Sequence, residues 1–516
     1  MTKAQIRDGA RKIDLLWIYA DDHASYVLGT DGNRRARTPN LDRLASEGVR
    51  FARNFCNAPV CTPSRQSRLT GQMPHSAGMT VVDSPLSTEK ATVAKQLKSV
   101  GYRTGAIGKM HWNRKPDPPY PGIHGFDFAL ADQNAFTAHR DSVRDRALRF
   151  HYWGAAMPVP DDIKTKPDWR VYLDPPRIWL NAHKLPAPGY EGDWSGAFEV
   201  EEATDFLRDN RSNRFALWLS FSEPHPPYEF PVEDRDAFSP ADFPVPALGP
   251  DDWWQNPLIF RGLSDKDRQG IIAACYTSVH YVDRNVGRVL HALKDLGLEG
   301  STLVVYTADH GAMLGAHGRF EKHCGYDQAI RTPLTMRLPG TIEPGSTVHA
   351  LTQSVDVPGT ILEVLDAPRL PLNHGRSLRP LIDGATETHR PHIFSEYLEN
   401  EEAYIRTDEW KFIYCSGKPF RKDGYETENP TPGRYVRLFD LQQDPDEFHD
   451  VSGRGSSAPL IAEMKQLLLE RFLDTHPEVS SVAKDLPVED QLDFFLTPRD
   501  SSCSGAGVLD VKYGVK

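Results

Sequence analysis

Long apolar runs are missing from this 516-residue chain. The apolar run near the N-terminus, Leu15 to Ala20, has six residues, too few for a secretion-signal core and far too few to span a bilayer. Cysteine is scarce as well. The six thiols (Cys56, Cys61, Cys275, Cys324, Cys415 and Cys503) form no CxxC pair and no metal-type spacing, which excludes a disulfide scaffold and a thiolate zinc site. Together these absences predict a cytoplasmic protein with reduced thiols and no membrane segment. No Lys/Arg-dense run occurs, and 60 basic against 71 acidic residues leave a net charge of −11. Nucleic acid is thereby excluded as the main partner. Internal repeats and low-complexity tracts are absent too.

What is present is an ordinary globular composition, 39% hydrophobic and 25% charged. The length exceeds one simple core and predicts a large α/β domain with a smaller companion. Four short apolar runs end in polar clusters: IDLLWIYADDH (13–23), YRTGAIGKMH (102–111), RFALWLSFSEPH (214–225) and STLVVYTADH (301–310). Such runs read as buried strands of a parallel sheet. Helical patterns lie between them, at TPNLDRLASEG (38–48) and YTSVHYVDRNVGRVLHALKDLG (276–297). The alternation predicts a doubly wound, mostly parallel sheet flanked by helices. Segment 112–200, rich in Pro and Trp (Trp112, Trp153, Trp169, Trp179, Trp194), reads as an insertion over the site. After about residue 385 the segments 392–398, 403–415 and 435–445 read as strands of a small antiparallel sheet, with a helix at 458–474. The expected division is therefore 1–385, 386–475 and an irregular C-terminal arm over 476–516, the arm being a candidate oligomer interface.

Asp21-Asp22, Lys109 with His111, His225, and Asp309-His310 each follow the carboxyl end of a predicted strand, where open parallel sheets bind ligands. Either acidic pair alone would suggest a turn or helix cap. Two such pairs at strand ends of one sheet favour a hard divalent ion over zinc. Cys61 opens a predicted helix, with Thr62 as the expected N-cap, Pro63 in the first turn and Arg65 one turn on. A helix N-terminus attracts anions. Lys109, Lys322, Arg65 and the two histidines complete an anion pocket. A plain thiolate is the wrong nucleophile beside such an ion, because oxygen-loving metals do not choose sulfur.

These motifs resemble those of the type I, formylglycine-dependent sulfatases of the alkaline phosphatase superfamily. CTPSRQSRLTG (61–71) is similar to the C-x-P-x-R signature, and GYRTGAIGKMHW (101–112) to the second signature of that family. ADDH (20–23), TPNLDRLASEGVRF (38–51), FSEPHPPY (221–228) and TADHGAMLG (307–315) fit further positions, as do RTDEWKFIY and LFDLQQDPDE within 406–447. The resemblance implies an alkaline phosphatase-like fold and hydrolysis of aryl, alkyl or sugar sulfate monoesters. It implies that Cys61 becomes formylglycine through a maturation enzyme. Asp21, Asp22, Asp309 and His310, together with the residue at 61, would hold one divalent ion, with Ca²⁺ expected and Mg²⁺ or Mn²⁺ fitting the same donors. Arg65 would orient the nucleophile, Lys109 and Lys322 would bind the sulfate, His225 would serve the leaving oxygen, and His111 would act as the base. The alternative inside the superfamily is a phosphonate monoester or phosphodiester hydrolase. A non-catalytic binder of sulfated sugars is the reading from another class.

Overall fold

The computed structural model describes residues 13–82, 84–112, 123–131, 163–164, 180–187, 190–191, 194–417 and 433–500. Strands β1 (Asp14–Ala20), β2 (Val49–Phe51), β4 (Arg103–Gly108), β5 (Phe128–Ala131), β6 (Phe215–Phe221), β7 (Thr302–Ala308), β9 (Leu334–Arg337) and β10 (Ser346–Val348) build an eight-stranded sheet. Its spatial order is β10-β2-β9-β7-β1-β6-β4-β5. All neighbours are parallel except β9, which runs antiparallel to both β7 and β2. Beside it lie three short strands, β3 (Asn54–Phe55), β8 (Arg331–Thr332) and β11 (Thr352–Gln353), paired in the order β11-β3-β8.

β1, β6 and β7 are buried along their whole length, as near-continuous apolar strands of a parallel sheet covered on both faces must be. On one face, helix α1 (Pro39–Ser46) and the helix Asp265–Asp295 bury Leu41, Leu44, Val282, Val286 and Leu293 against Leu16, Ile18 and Val304. On the other, Val93, Leu97, Ile361 and Leu362 cover Trp17, Tyr19 and Val305. Each such side chain contributes about 1.5–3 kcal/mol through burial.

A second, four-stranded antiparallel sheet runs β12 (His392–Tyr397), β13 (Glu402–Thr407), β14 (Trp410–Cys415) and β15 (Tyr435–Asp440) in sequence order. The helix Ala458–Thr475 packs on it through Met464, Leu468 and Phe472. The segment 403–415 is two strands of this sheet, broken by the turn at Asp408-Glu409.

Two expectations are corrected. The segment 112–200 is not wholly an insertion. Its residues Phe128–Ala131 form the edge strand β5 beside β4, and from Ser195 onward it enters the crossover helix Ser195–Asp209. Trp153, Trp169 and Trp179 lie outside the described residues, as does Cys503. The C-terminal arm is not irregular throughout. Helix Val488–Leu496 starts after Pro487 and buries Leu492, Phe495 and Leu496 in the core of the second sheet, the one-sided pattern of an amphipathic helix.

Candidate active site

The register of the main sheet assembles the site. Ala20 pairs with Ala308, so Asp21 and Asp309 leave their strands level, and Gly108 pairs with Ser220, itself opposite Tyr19, so Lys109 follows its strand one residue behind them. Gly108 is required where β4 ends. Its φ is +92°, and a Cβ there would lie 2.0 Å from the Ser220 carbonyl oxygen. That close crossing lets the Lys109 N–H donate to the same carbonyl at 2.9 Å.

Helix α2 (Cys61–Thr70) enters from the side and is buried at every position. Val60, in extended conformation, is its N-cap, and the Ser64 N–H closes the first turn on the Val60 carbonyl at 3.1 Å. Thr62 is thus inside the first turn and not the N-cap, and Cys61 is the first helical residue. Pro63 sits where a helix leaves its N–H groups unpaired, so its missing donor costs nothing. Ser64 Oγ donates to the Asp309 carbonyl at 2.6 Å and ties the helix start to the end of β7.

Asp21, Asp22, Asp309 and His310 are fully buried. One donor atom each from Asp21, Cys61, Asp309 and His310 lies within 4.8 Å of the others, and a second group joins Asp21, Asp22, Cys61 and His225 by the same measure. Arg65 runs beneath them. Its Nε donates to Asp309 Oδ2 at 2.8 Å, its Nη2 to Asp21 Oδ1 at 2.9 Å, and its Nη1 to the Lys109 carbonyl and Ser220 Oγ at 2.6 and 2.7 Å. Arg65 therefore acts on the carboxylates. Lys109 Nζ donates to Asp21 Oδ2, and Lys322 Nζ sits 2.7 Å from Asp22 Oδ2. His111, half-buried beyond Lys109, is tied in through its backbone, its carbonyl accepting from Gln66 Nε2 at 2.7 Å.

Burial alone would raise the Asp21 carboxyl, but Lys109 and then Arg65 hold it well below the usual carboxylate range. Burial wins at Asp22, whose carboxyl is raised despite Lys322 and His310. The same desolvation, reinforced by Asp21, pushes the Cys61 thiol well up, so an unmodified Cys61 is a neutral thiol. At His225 burial, then Lys109 and Lys322, drives the ring toward its neutral form. Its Nδ1–H donates to the Pro226 carbonyl at 2.6 Å, which leaves Nε2 as the nitrogen available to the cluster.

The donor set fits a hard divalent cation. His310 Nδ1 carries the proton given to the Gly311 carbonyl at 3.0 Å. Its Nε2 lone pair then faces Asp22 Oδ1 at 3.3 Å and Cys61 Sγ at 3.2 Å. With Nδ1 protonated, Nε2 meets that carboxylate favourably through a proton of its own or through a cation between them, and a backbone-fixed ring is how proteins orient a ligating imidazole.

Asp21, Asp22, Cys61, Arg65, Lys109, His225, Asp309, His310 and Lys322 thus lie in one cluster, while His111 is placed through its backbone. Ser220 and Gln66 were not anticipated. Ser220 lies inside an apolar predicted strand, and Gln66 lies inside the helix motif without a signal of its own.

Comparison with known proteins agrees with this geometry. A family model described as Sulfatase matches residues 14–367, and one described as N-sulphoglucosamine sulphohydrolase, C-terminal, matches residues 315–473. The chain is 30% identical to steryl-sulfatase of Rattus norvegicus, over 85% of this chain and 85% of that protein. It is 26% identical to N-acetylglucosamine-6-O-sulfatase of Bacteroides thetaiotaomicron, over 92% of this chain and 89% of that one. A phosphonate monoester hydrolase from Silicibacter pomeroyi shares the fold, with a TM-score of 0.72 at 24% identity over 91% of this chain and 97% of that one. A structure in complex with its substrate D-glucosamine-2-N,6-O-disulfate superposes with a TM-score of 0.69 at 22% identity, over 90% and 98% of the two chains. With a matching model across more than half its length, the chain belongs to the sulfatase family and is a sulfuric ester hydrolase that cleaves sulfate monoesters.

Proposed function

We propose that the ester is cleaved by an oxygen nucleophile derived from Cys61, oxidised to formylglycine by a maturation enzyme, with one Ca²⁺ held among Asp21, Asp22, Asp309 and His310. When bound, the ion supplies Lewis acidity to a hydroxyl of the formylglycine hydrate, lowering its pKa toward neutrality. The observation that carries this reading is the place of Cys61. Its sulfur lies inside a carboxylate and imidazole donor set that suits oxygen.

The other residues divide the work. Arg65 keeps Asp21 and Asp309 at a fixed spacing. Lys109 and Lys322 bind the sulfate oxygens and offset the charge that grows on them. His225, through Nε2, carries a proton to the leaving alcohol oxygen, and His111 accepts the proton whose removal releases sulfate.

Charge supports sulfate over a phosphate monoester. Asp21, Asp22 and Asp309 are matched by Arg65, Lys109 and Lys322. A divalent ion then leaves a surplus of two positive charges, which a monoanionic ester and a deprotonated nucleophile neutralise. A phosphate monoester dianion would overfill the site. Phosphonate monoesters and phosphodiesters are monoanions as well and fit as secondary substrates. The named relatives support small sulfated substrates, and sulfated amino sugars or aryl sulfates are the class we assign.

The test is a comparison of kcat/KM for an aryl sulfate, an aryl phosphonate monoester and a bis-aryl phosphodiester with the same leaving group. The sulfate is expected to lead by at least roughly 10²-fold, about 3 kcal/mol of transition-state preference. A phosphodiester or phosphonate in the lead would overturn the assignment.

A further inference from the structure

His111 has a φ of +56°, in the left-handed region that a non-glycine residue enters at a cost of order 1–3 kcal/mol. Its surroundings must hold it there, and two hydrogen bonds do so. The His111 carbonyl accepts from Gln66 Nε2 at 2.7 Å, and the carbonyl of the next residue, Trp112, accepts from the Leu86 N–H at 2.7 Å. The Trp112 ring stacks on Phe126 at 4.8 Å and anchors the far side.

Gln66 is fully buried and neighbours Arg65 on helix α2. Its Nε2 also donates to the Ser84 carbonyl at 2.8 Å. Both partners are carbonyl oxygens, so only the amide nitrogen can face them. One helix thus sends consecutive side chains to the carboxylate cluster and to the backbone of His111.

Ser84 is in turn fixed from the other end of the chain. The Asp500 carboxylate accepts from Ser84 Oγ and Thr80 Oγ1, from the Thr80 N–H at 2.7 Å and from the Val81 N–H at 3.3 Å. Four donors of one loop converge on a single acceptor-only group, and charge-assisted bonds of this kind are the stronger ones. Asp500 is delivered by the arm that follows the helix Val488–Leu496, itself anchored by Leu492, Phe495 and Leu496.

We infer that Gln66 and Asp500 are positioning residues for His111. Asp500 gathers Thr80, Val81 and Ser84, Ser84 presents its carbonyl, and Gln66 couples that carbonyl to His111 so that the imidazole is held ready to accept its proton. The inference rests on the assignment of His111 as that acceptor. It gives the C-terminal arm a part in turnover.

The experiment is steady-state kinetics on an aryl sulfate with metal-loaded protein, comparing Gln66→Glu, Asp500→Asn, His111→Ala and the double variant Gln66→Glu/His111→Ala. Glutamate keeps the shape of Gln66 but turns an acceptor toward two carbonyls. Expected is a fall in kcat of roughly 10- to 100-fold for Gln66→Glu, the scale of a misplaced catalytic group. KM should stay within about twofold, since the lysines that hold the sulfate are untouched. Asp500→Asn, at the periphery, should fall in the same direction by a smaller factor, and it serves if the buried variant unfolds. In the His111→Ala background Gln66→Glu should cost nothing further. The same loss with and without His111, or a change confined to KM or to thermal stability, overturns the inference. His111→Ala turning over at the wild-type rate instead removes the assignment of His111 itself, whatever Gln66 does.

Discussion

The sulfur of Cys61 lies 3.2 Å from Nε2 of His310, between residues 249 positions apart in the chain. Two features converge on that contact. His310 is oriented by the Gly311 carbonyl, which its Nδ1–H meets, and Cys61 is the first residue of a helix whose Ser64 and Arg65 side chains grip Asp309. A thiol can donate to an imidazole lone pair, but as a ligand beside three carboxylates sulfur makes a poor site for a hard cation. It becomes a good one when the sulfur is replaced by oxygen and a hard cation fills the centre.

Replacing Cys61 by serine should therefore not rescue activity, although serine also offers a hydroxyl. Serine has one hydroxyl and cannot reform an aldehyde, so kcat should fall by at least roughly 10³-fold, the scale of losing a nucleophile. Thermal unfolding of Cys61→Ser should stay close to wild type. Turnover within tenfold of wild type would remove formylglycine from the account.

Chelation should abolish activity and lower the unfolding temperature together, and Ca²⁺ should restore both. Any ligand of the folded state alone stabilises by mass action, about 2.7 kcal/mol at a hundred times its Kd. Calorimetry with and without chelator checks this. An unfolding temperature indifferent to chelator and to added Ca²⁺ would contradict the ion site.

Lys322→Met should destabilise the metal-free protein. Lys322 and Asp22 are both buried, with side chains 5% and 0% exposed. Removing the ammonium leaves the Asp22 carboxylate without its main partner, a loss of about 3–5 kcal/mol for a buried pair. Denaturant unfolding of the two chelated proteins measures it, and equal midpoints would contradict it. In the metal-loaded variant the expected loss is in sulfate binding and turnover.

Acid should loosen the junction between the two sheets, where Asp327 meets Lys411 and Arg406. Burial would raise the Asp327 carboxyl, but Lys411 and then Arg406 push it down from the usual 3.8 to about 2. A depressed folded-state value means the stabilisation is fully present above about pH 3.8 and is lost as pH falls toward 2. Urea midpoints should therefore drop across that window, and Asp327→Asn should show a shallower drop. Parallel pH profiles for the two proteins would rule out Asp327 as the cause.

Much of this was legible in the sequence because each strand that serves the site is an apolar run ending in polar residues. Asp21, Lys109 and Asp309 could be placed at strand ends from that pattern. The Ala20–Ala308 register that brings Asp21 and Asp309 level belongs to strand pairing between segments far apart in the chain, which no local pattern encodes. The cap of helix α2 was misplaced by two residues because Thr62 is a better N-cap type than Val60, while the tertiary fit of Cys61 decides the start. β5 has only four residues, too few for a period to show. The link from Asp500 to Thr80 spans 420 positions and is visible only in three dimensions.

The most direct measurement is peptide mass spectrometry on the tryptic fragment Asn54 to Arg65, from protein made in its own host and assayed before digestion. Cys56, fully buried and outside the donor set, lies in the same peptide and serves as the unmodified control. The account predicts that active protein has lost sulfur at Cys61 alone and carries there an aldehyde that a hydrazide captures. Intact thiols at both positions, in protein that still hydrolyses sulfate esters, would contradict it.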